Sequence, residues 1–309
     1  MYPAWISGSV FFLFGLIFGS FLNVCIYRLP RRLSVVSPRS ACPGCNEPIA
    51  AFDNIPVLSW VMLDGRCRHC HARISPRYVI VELLCGLLFL LCLLLAGPSV
   101  YAVKGCVLCF LLLGLIFTDA ETHLLPDALT LPGLGVALIL SFFAVVPGPA
   151  SYFFPIFYPT RYGFLQIGLR SLTNSLLGAA VGSGALYAVG WLYLKLRKVD
   201  GMGLGDVKLM AMVGAFLGPA LTLFVLCSSS LLGGIYGIFV LISVLRSRLI
   251  RYRARSRTQA SSRAWQSAQT ALRGLEIPFG VFLGFMSILT WFFGAQMIRA
   301  YLDLLLIAD

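Results

Sequence analysis

Charge is what this 309-residue chain has least of: only 12% of it is Asp, Glu, Lys or Arg, against roughly a quarter in an ordinary soluble domain. Carboxylates are scarcer than bases, 12 against 24 Lys and Arg, and there are only 3 histidines. With 59% apolar residues, a water-soluble globule would lack the polar surface it needs. A disordered chain is excluded too, because disorder requires low hydrophobicity. Three histidines, all outside the apolar runs, leave no Ser-His-Asp set, and neither an H-E-x-x-H helix nor a P-loop occurs. The first apolar run is preceded by no basic residue and followed by no small-residue cleavage site, so a permanent helix is expected there rather than a removable signal peptide.

What is present is a succession of apolar runs near 10–26, 79–96, 101–118, 128–146, 172–194, 207–217, 219–244 and 278–298. A spanning helix needs about 20 mostly apolar residues. The long run after Asp206 is split at Gly218-Pro219, which leaves a short sixth helix. The fold class expected is an all-α polytopic membrane protein of about eight transmembrane helices, with a small cytoplasmic zinc-ribbon-like loop domain. Three parts follow: a first helix at 1–27, a cysteine-bearing loop domain at 28–77, and seven further helices in 78–309 carrying a basic loop at 246–276.

Positive charge sets the orientation. Residues 28–77 hold eight arginines, residues 246–273 hold eight more, and Lys195, Arg197 and Lys198 follow the fifth run. With eight spans and an outside N-terminus, all three segments fall on the cytoplasmic side and both termini on the periplasmic side. Only Arg161, Arg170 and Arg299 fall opposite, while Lys104 and Lys208 sit just inside expected helices. Anionic membrane lipid is the expected partner of the arginine-rich 246–273 segment. Nucleic acid is not, because no aromatic interleaving accompanies the charge. The Pro- and aromatic-rich 147–164 stretch is expected to be an interfacial turn.

Of the ten cysteines, six (Cys25, Cys85, Cys92, Cys106, Cys109, Cys227) lie in apolar runs and are expected to act as small hydrophobes. The other four form Cys42-Pro-Gly-Cys45 and Cys67-Arg-His-Cys70, two C-x-x-C pairs at the spacing of a four-thiolate zinc site. A reducing cytoplasm disfavours disulfides and favours metal. The expected zinc is structural, because a loop this small cannot bury enough apolar area to hold itself together.

Four of the twelve carboxylates bracket helix ends. Asp119 and Glu121 follow the third run, Asp127 precedes the fourth, and Asp206 ends Gly201-Met-Gly-Leu-Gly-Asp206 before the sixth. Ionisable groups bordering a bilayer are functional candidates by default. Taken singly, Asp206 also fits a helix cap, Asp119 a solvated loop charge, and Asp127 a cap for the fourth helix. Glycines at 201, 203 and 205 let the backbone turn tightly and approach a neighbouring peptide. Two carboxylates at one depth can share a proton, so that the ionised one activates water while the protonated one donates to a peptide carbonyl. A proton-relay transporter is the competing class, supported by the short sixth helix and its Gly-Pro break.

Gly19-Ser-Phe-Leu-Asn-Val24, Arg28-Leu-Pro30, both C-x-x-C pairs, Asn54-Ile-Pro56, Asp119 with Leu125-Pro-Asp127, Gly203-Leu-Gly-Asp206 with Lys208, and Pro278-Phe-Gly280 occur in that order. Together they resemble the bacterial type IV prepilin peptidases, the prepilin leader peptidase/N-methyltransferases. The resemblance implies a Gly-x-Gly-Asp aspartic protease of the bacterial inner membrane. Its substrates are prepilins and pseudopilins of type IV pili and type II secretion, cut after a glycine on the cytoplasmic face. It places catalysis on Asp119 and Asp206, with Asp127, Gly203, Gly205 and Lys208 in support. It also implies methylation of the new N-terminus from S-adenosylmethionine, for which the residues here mark no donor site. A peptidase lacking that second activity is the alternative within the family.

Overall fold

The computed structural model describes residues 4–143, 164–198, 203–255 and 278–307. Nine α-helices occur among them: α1 (Ala4–Arg28), α2 (Leu58–Met62), α3 (Arg77–Ala96), α4 (Val100–Thr122), α5 (Asp127–Phe143), α6 (Phe164–Arg197), α7 (Leu204–Leu217), α8 (Pro219–Arg255) and α9 (Phe279–Ile307). All but the single-turn α2 coincide with an expected apolar run. Five of them, α1, α3, α4, α6 and α8, are long and apolar enough to cross a membrane. α5 and the first part of α9 are shorter apolar helices. No strand forms among the described residues, where two isolated antiparallel bridges are the whole β content.

Helix ends depart from the sequence expectation in informative places. Asp119 does not follow the third helix in a turn but lies inside the last turn of α4. Asp206 does not precede the sixth helix but belongs to the first turn of α7. Both boundaries move outward because capping and tertiary partners keep polar residues helical beyond the apolar run. α8 likewise continues to Arg255, so the first ten residues of the 246–273 segment are helical. The remainder of that segment, the 147–163 stretch, and Gly201 with Met202 lie outside the described residues.

The short α7 is the axis of the larger bundle. Leu209, Met210 and every residue from Met212 to Leu217 are buried, against α4, α5, α6, α8 and α9. Between lipid-embedded helices the hydrophobic drive is absent, so association depends on close packing of small residues. α6 and α7 use this device: a Cβ added to Gly214 would lie 2.1 Å from the Gly178 carbonyl oxygen, and one added to Gly178 equally close to that of Gly214. α1 and α3 repeat it, with a Cβ on Gly15 falling 2.6 Å from Gly86 Cα. The second apolar cluster, between α1, α3 and α4, includes Cys25, Cys85, Cys92, Cys106 and Cys109. Those five thiols behave as the small hydrophobes expected, whereas Cys227 is exposed.

Gly214→Leu should therefore force α6 and α7 apart, at a cost of at least the ~1–3 kcal/mol typical of overpacking. Thermal unfolding in detergent measures this. Gly184→Leu, at a position where an added Cβ meets nothing within 4 Å, should leave the transition in place.

Candidate active site and metal centre

Asp119 is 5% exposed. Its Oδ2 accepts the backbone N–H of Val281 at 3.0 Å. Val281 is the third residue of α9, and a helix cannot satisfy its first four N–H groups by itself. Asp119 thus caps the N-terminus of a distant helix, with its charge at the positive end of that helix's dipole. Asp206, half-buried in the first turn of α7, occupies the positive end of its own. The two carboxylates are near enough to act on each other electrostatically.

Leu125, in the turn between α4 and α5, is wedged between the α7 backbone that carries Asp206 and the α9 backbone that holds Asp119. A Cβ on Gly205 would come within 3.1 Å of Leu125 Cβ, and one on Gly280 within 3.2 Å of its Cδ1 and 2.9 Å of Asp119 Oδ2. Glycine at 280 is what lets α9 come close enough to bind Asp119. Gly203 and Gly205 differ from the expectation of a tight turn. Gly203 is extended (φ −73°, ψ 138°) and Gly205 is helical, so glycine at 205 serves clearance from Leu125 rather than backbone conformation. Asp127 opens α5 and is ion-paired with Lys208 on α7, at 2.8 and 2.7 Å from its two oxygens. Two residues expected to support the site are thereby joined across the mouth of the α5–α7 contact.

The four cysteine sulfurs of the 28–77 loop all lie within 4.8 Å of one another. Cys42 Sγ and Cys70 Sγ are 3.7 Å apart, close to the roughly 3.8 Å edge of a tetrahedron with 2.3 Å metal–sulfur bonds. The two cysteine turns are structural repeats offset by 25 positions. Cys42 N–H bonds Glu47 O, Asn46 N–H bonds Cys42 O and Ile49 N–H bonds Ser40 O; Cys67–Ala72, His71–Cys67 and Ile74–Gly65 repeat the pattern. Asn46 and His71 take the same left-handed conformation, at φ 58° and 54°. Backbone amides of Gly44 and Cys45 hold the Cys42 thiol down at about 7, and those of Cys70 and His69 lower Cys67. Thiolates favoured in this way are metal ligands, and the set could hold one metal ion.

Several groups were not marked by motif. Glu82, buried in α3, accepts the Val57 N–H at 2.7 Å and anchors the loop through a residue at φ 60°, ψ −52°. Arg77 at the head of α3 pairs with Glu121, two residues beyond Asp119. Asp53 and Arg68 form a bidentate pair within the loop. A cavity of about 450 Å³ beside the second cysteine turn is lined by Trp60, Asp64, Arg66 and Arg73 among others. Glu82 and Lys104 were legible only as isolated charges inside apolar runs, and the Val281 amide carries no sequence signal beyond Pro278-Phe-Gly280.

Residues 13–96 match the bacterial peptidase A24 N-terminal domain, and residues 106–238 the type IV leader peptidase family. The chain is 36% identical over 263 residues to a prepilin leader peptidase/N-methyltransferase of Aeromonas salmonicida (strain A449), covering 77% of this chain and 82% of that one. A protein of the same description from Klebsiella pneumoniae is 40% identical over 224 residues, covering 70% and 87% respectively. One from Pseudomonas putida is 36% identical over 250 residues, covering 74% and 78%. No solved structure matches.

Metal analysis of the purified protein should find one ion per chain. Cys67→Ser, which removes one of four ligands, should lose it and render the 28–77 segment sensitive to proteolysis. Full metal retention in that variant would remove the centre from this account.

Proposed function

The chain belongs to the type IV leader peptidase family, and on that premise we propose that it is a bifunctional membrane enzyme. It cuts the leader from type IV prepilins and pseudopilins as an aspartic peptidase and then methylates the new N-terminal amine. The observation that carries the peptidase reading is the pair Asp119 and Asp206, brought to one end of the bundle by α4 and α7. The relatives' shared description names both activities, which disfavours a peptidase alone and a proton-coupled transporter.

Asp119 and Asp206 act as a dyad sharing one proton, since neighbouring carboxylates do not both ionise readily and titrate as a pair. The Val281 amide fixes one oxygen of Asp119 and leaves the other for the reaction. The ionised member takes a proton from water as it attacks the scissile carbonyl, while the protonated member donates to the carbonyl oxygen. The proton taken from water then passes to the leaving amine, and the other carboxylate recovers its own from the collapsing diol. Lys208 neutralises Asp127 beside the pair, which keeps a third negative charge from adding to the dyad. Gly203 is extended and puts no side chain beside the Asp206 carboxylate, and Gly205 lets Leu125 pack against the first turn of α7, so an extended substrate backbone can approach Asp206.

Zinc is the metal proposed for Cys42, Cys45, Cys67 and Cys70, because four thiolates in a tetrahedral arrangement suit it and close the site against water. Its role is to hold the loop. S-adenosylmethionine, when bound, supplies an electrophilic methyl group to the freed amine. The cavity lined by Trp60, Asp64, Arg66 and Arg73 has the volume of a nucleoside site, with an aromatic face for a base and charges for a ribose and a carboxylate. The 28–77 loop domain is the methyltransferase part in this reading. The basic segments 28–77 and 246–273 face the cytoplasm of an inner-membrane protein with periplasmic termini, the arginines of the second meeting anionic lipid.

Purified protein incubated with a prepilin and S-adenosylmethionine should yield mature pilin carrying one methyl increment by intact mass. Asp119→Asn and Asp206→Asn should each lower cleavage by at least about a hundredfold at unchanged abundance. Normal cleavage by either variant would sink the dyad.

A further inference from the structure

Lys104 heads the largest fully buried side chains, it lies inside an apolar helix, and the peptidase chemistry gives it no task. Its Nζ donates to Ser141 Oγ on α5 at 2.7 Å. Ser175 on α6 places its hydroxyl 2.6 Å from that same oxygen and 2.7 Å from the carbonyl oxygen of Ala215. Ser141 reaches Ala137 O at 2.6 Å. With the ammonium donating into Ser141, the Ser141 hydrogen can turn to Ser175 Oγ and the Ser175 hydrogen to Ala215 O, so one chain of donors runs from Nζ to the carbonyl. All three side chains are buried, none more than 2% exposed.

The far end of this relay explains the position of the charge. Ala215 is among the last four residues of α7, whose carbonyls have no partner within the helix. At 14 residues, α7 rises only about 21 Å, less than the ~30 Å hydrocarbon thickness. Its C-terminal end therefore stops among packed side chains, where no water can satisfy those carbonyls. Among the described residues Lys104 forms no ion pair. Its counter-charge is the negative end of the α7 dipole, reached through the serines and flanked by the Phe216 ring, 5.9 Å from Nζ. Asp206 sits at the positive end of the same helix, so α7 carries a complementary charge at each terminus.

We infer that Lys104 is a positioning residue for Asp206: acting through Ser141 and Ser175 on the α7 carbonyl terminus, it sets how far α7 sits into the bundle and hence where the Asp206 carboxylate meets Asp119. This rests on the peptidase reading above. Lys104 itself touches neither carboxylate nor substrate in this account; its effect passes along a rigid helix.

The test uses the full-length protein in detergent with a prepilin. Lys104→Met keeps the stem and removes the donors, and Lys104→Arg keeps the charge. Three quantities are measured: kcat and KM for cleavage, methyl transfer to an already matured pilin, and the rate of maleimide modification of Leu204→Cys at the head of α7, followed by peptide mass mapping. Lys104→Met should lower kcat by about ten- to a hundredfold, the scale of an ångström-sized misplacement, with KM within about twofold. Methyl transfer should hold, modification at position 204 should change, and Lys104→Arg should recover most of the kcat. An unchanged kcat in Lys104→Met overturns the inference. So does a parallel loss of cleavage and methyl transfer that Lys104→Arg fails to relieve, since that marks general destabilisation. Should Lys104→Met not accumulate folded, Ser175→Ala breaks the same relay at smaller packing cost, and a normal kcat there is equally fatal. If the wild-type protein does not cut prepilin, the peptidase reading fails, and modification at position 204 alone then decides whether Lys104 sets the depth of α7.

Discussion

Carbonyls at the end of a helix that stops short of water must be given partners, and the larger half of this protein is organised around that necessity. α7 is surrounded on all sides and too short to reach from one membrane face to the other. Its lateral position is set by the Gly178–Gly214 contact, where backbone meets backbone. Its axial position depends on the serines and the buried ammonium at its carbonyl end. Only its first turn emerges, and Asp206 is there. Asp119 answers from α4 and is itself held by the unpaired amide of α9. Each carboxylate rests on the positive end of a helix, so the pair is the joint product of α4, α7 and α9 rather than of a flexible loop.

The cysteine-bearing segment obeys a different constraint. It has too few apolar residues for a core, and its order comes from two repeated turns around four sulfurs. Two of its ties to the bundle lie at α3. Glu82 holds the Val57 amide from within α3, and Arg77 grips Glu121 one half-turn beyond Asp119. Through α3 and the end of α4, the loop and the carboxylate pair share one edge of the molecule. Under the bifunctional reading this is where a freshly cut amine emerges, and the second reaction has little distance to cover.

Eight of the nine helices were legible as apolar runs, because a lipid-facing helix must be apolar along its length whatever its neighbours are. The cysteine set was legible too, since two short turns of fixed spacing are local objects. Asp119 and Asp206 stood out because acid was so scarce. Their surroundings were not legible in the same way. The outward shift of helix ends at Thr122 and Leu204 depends on partners from other helices, and glycine at 205 proved to be a clearance from Leu125 instead of a turn device. Asp127 and Lys208 are 81 positions apart, and no pattern in the chain announces that they pair.

The amino-acid sequence by itself determined the class of this protein, its helices, its cysteine cluster and the identity of its few acids, all properties set by composition and short-range spacing. Tertiary structure alone decided which helix end each acid rests on, which glycines allow backbones to touch, and where a lone lysine inside an apolar helix finds its counter-charge. Those are contacts between residues tens to hundreds of positions apart, and they exist only once the unpaired amides and carbonyls of one helix are presented to the side chains of another.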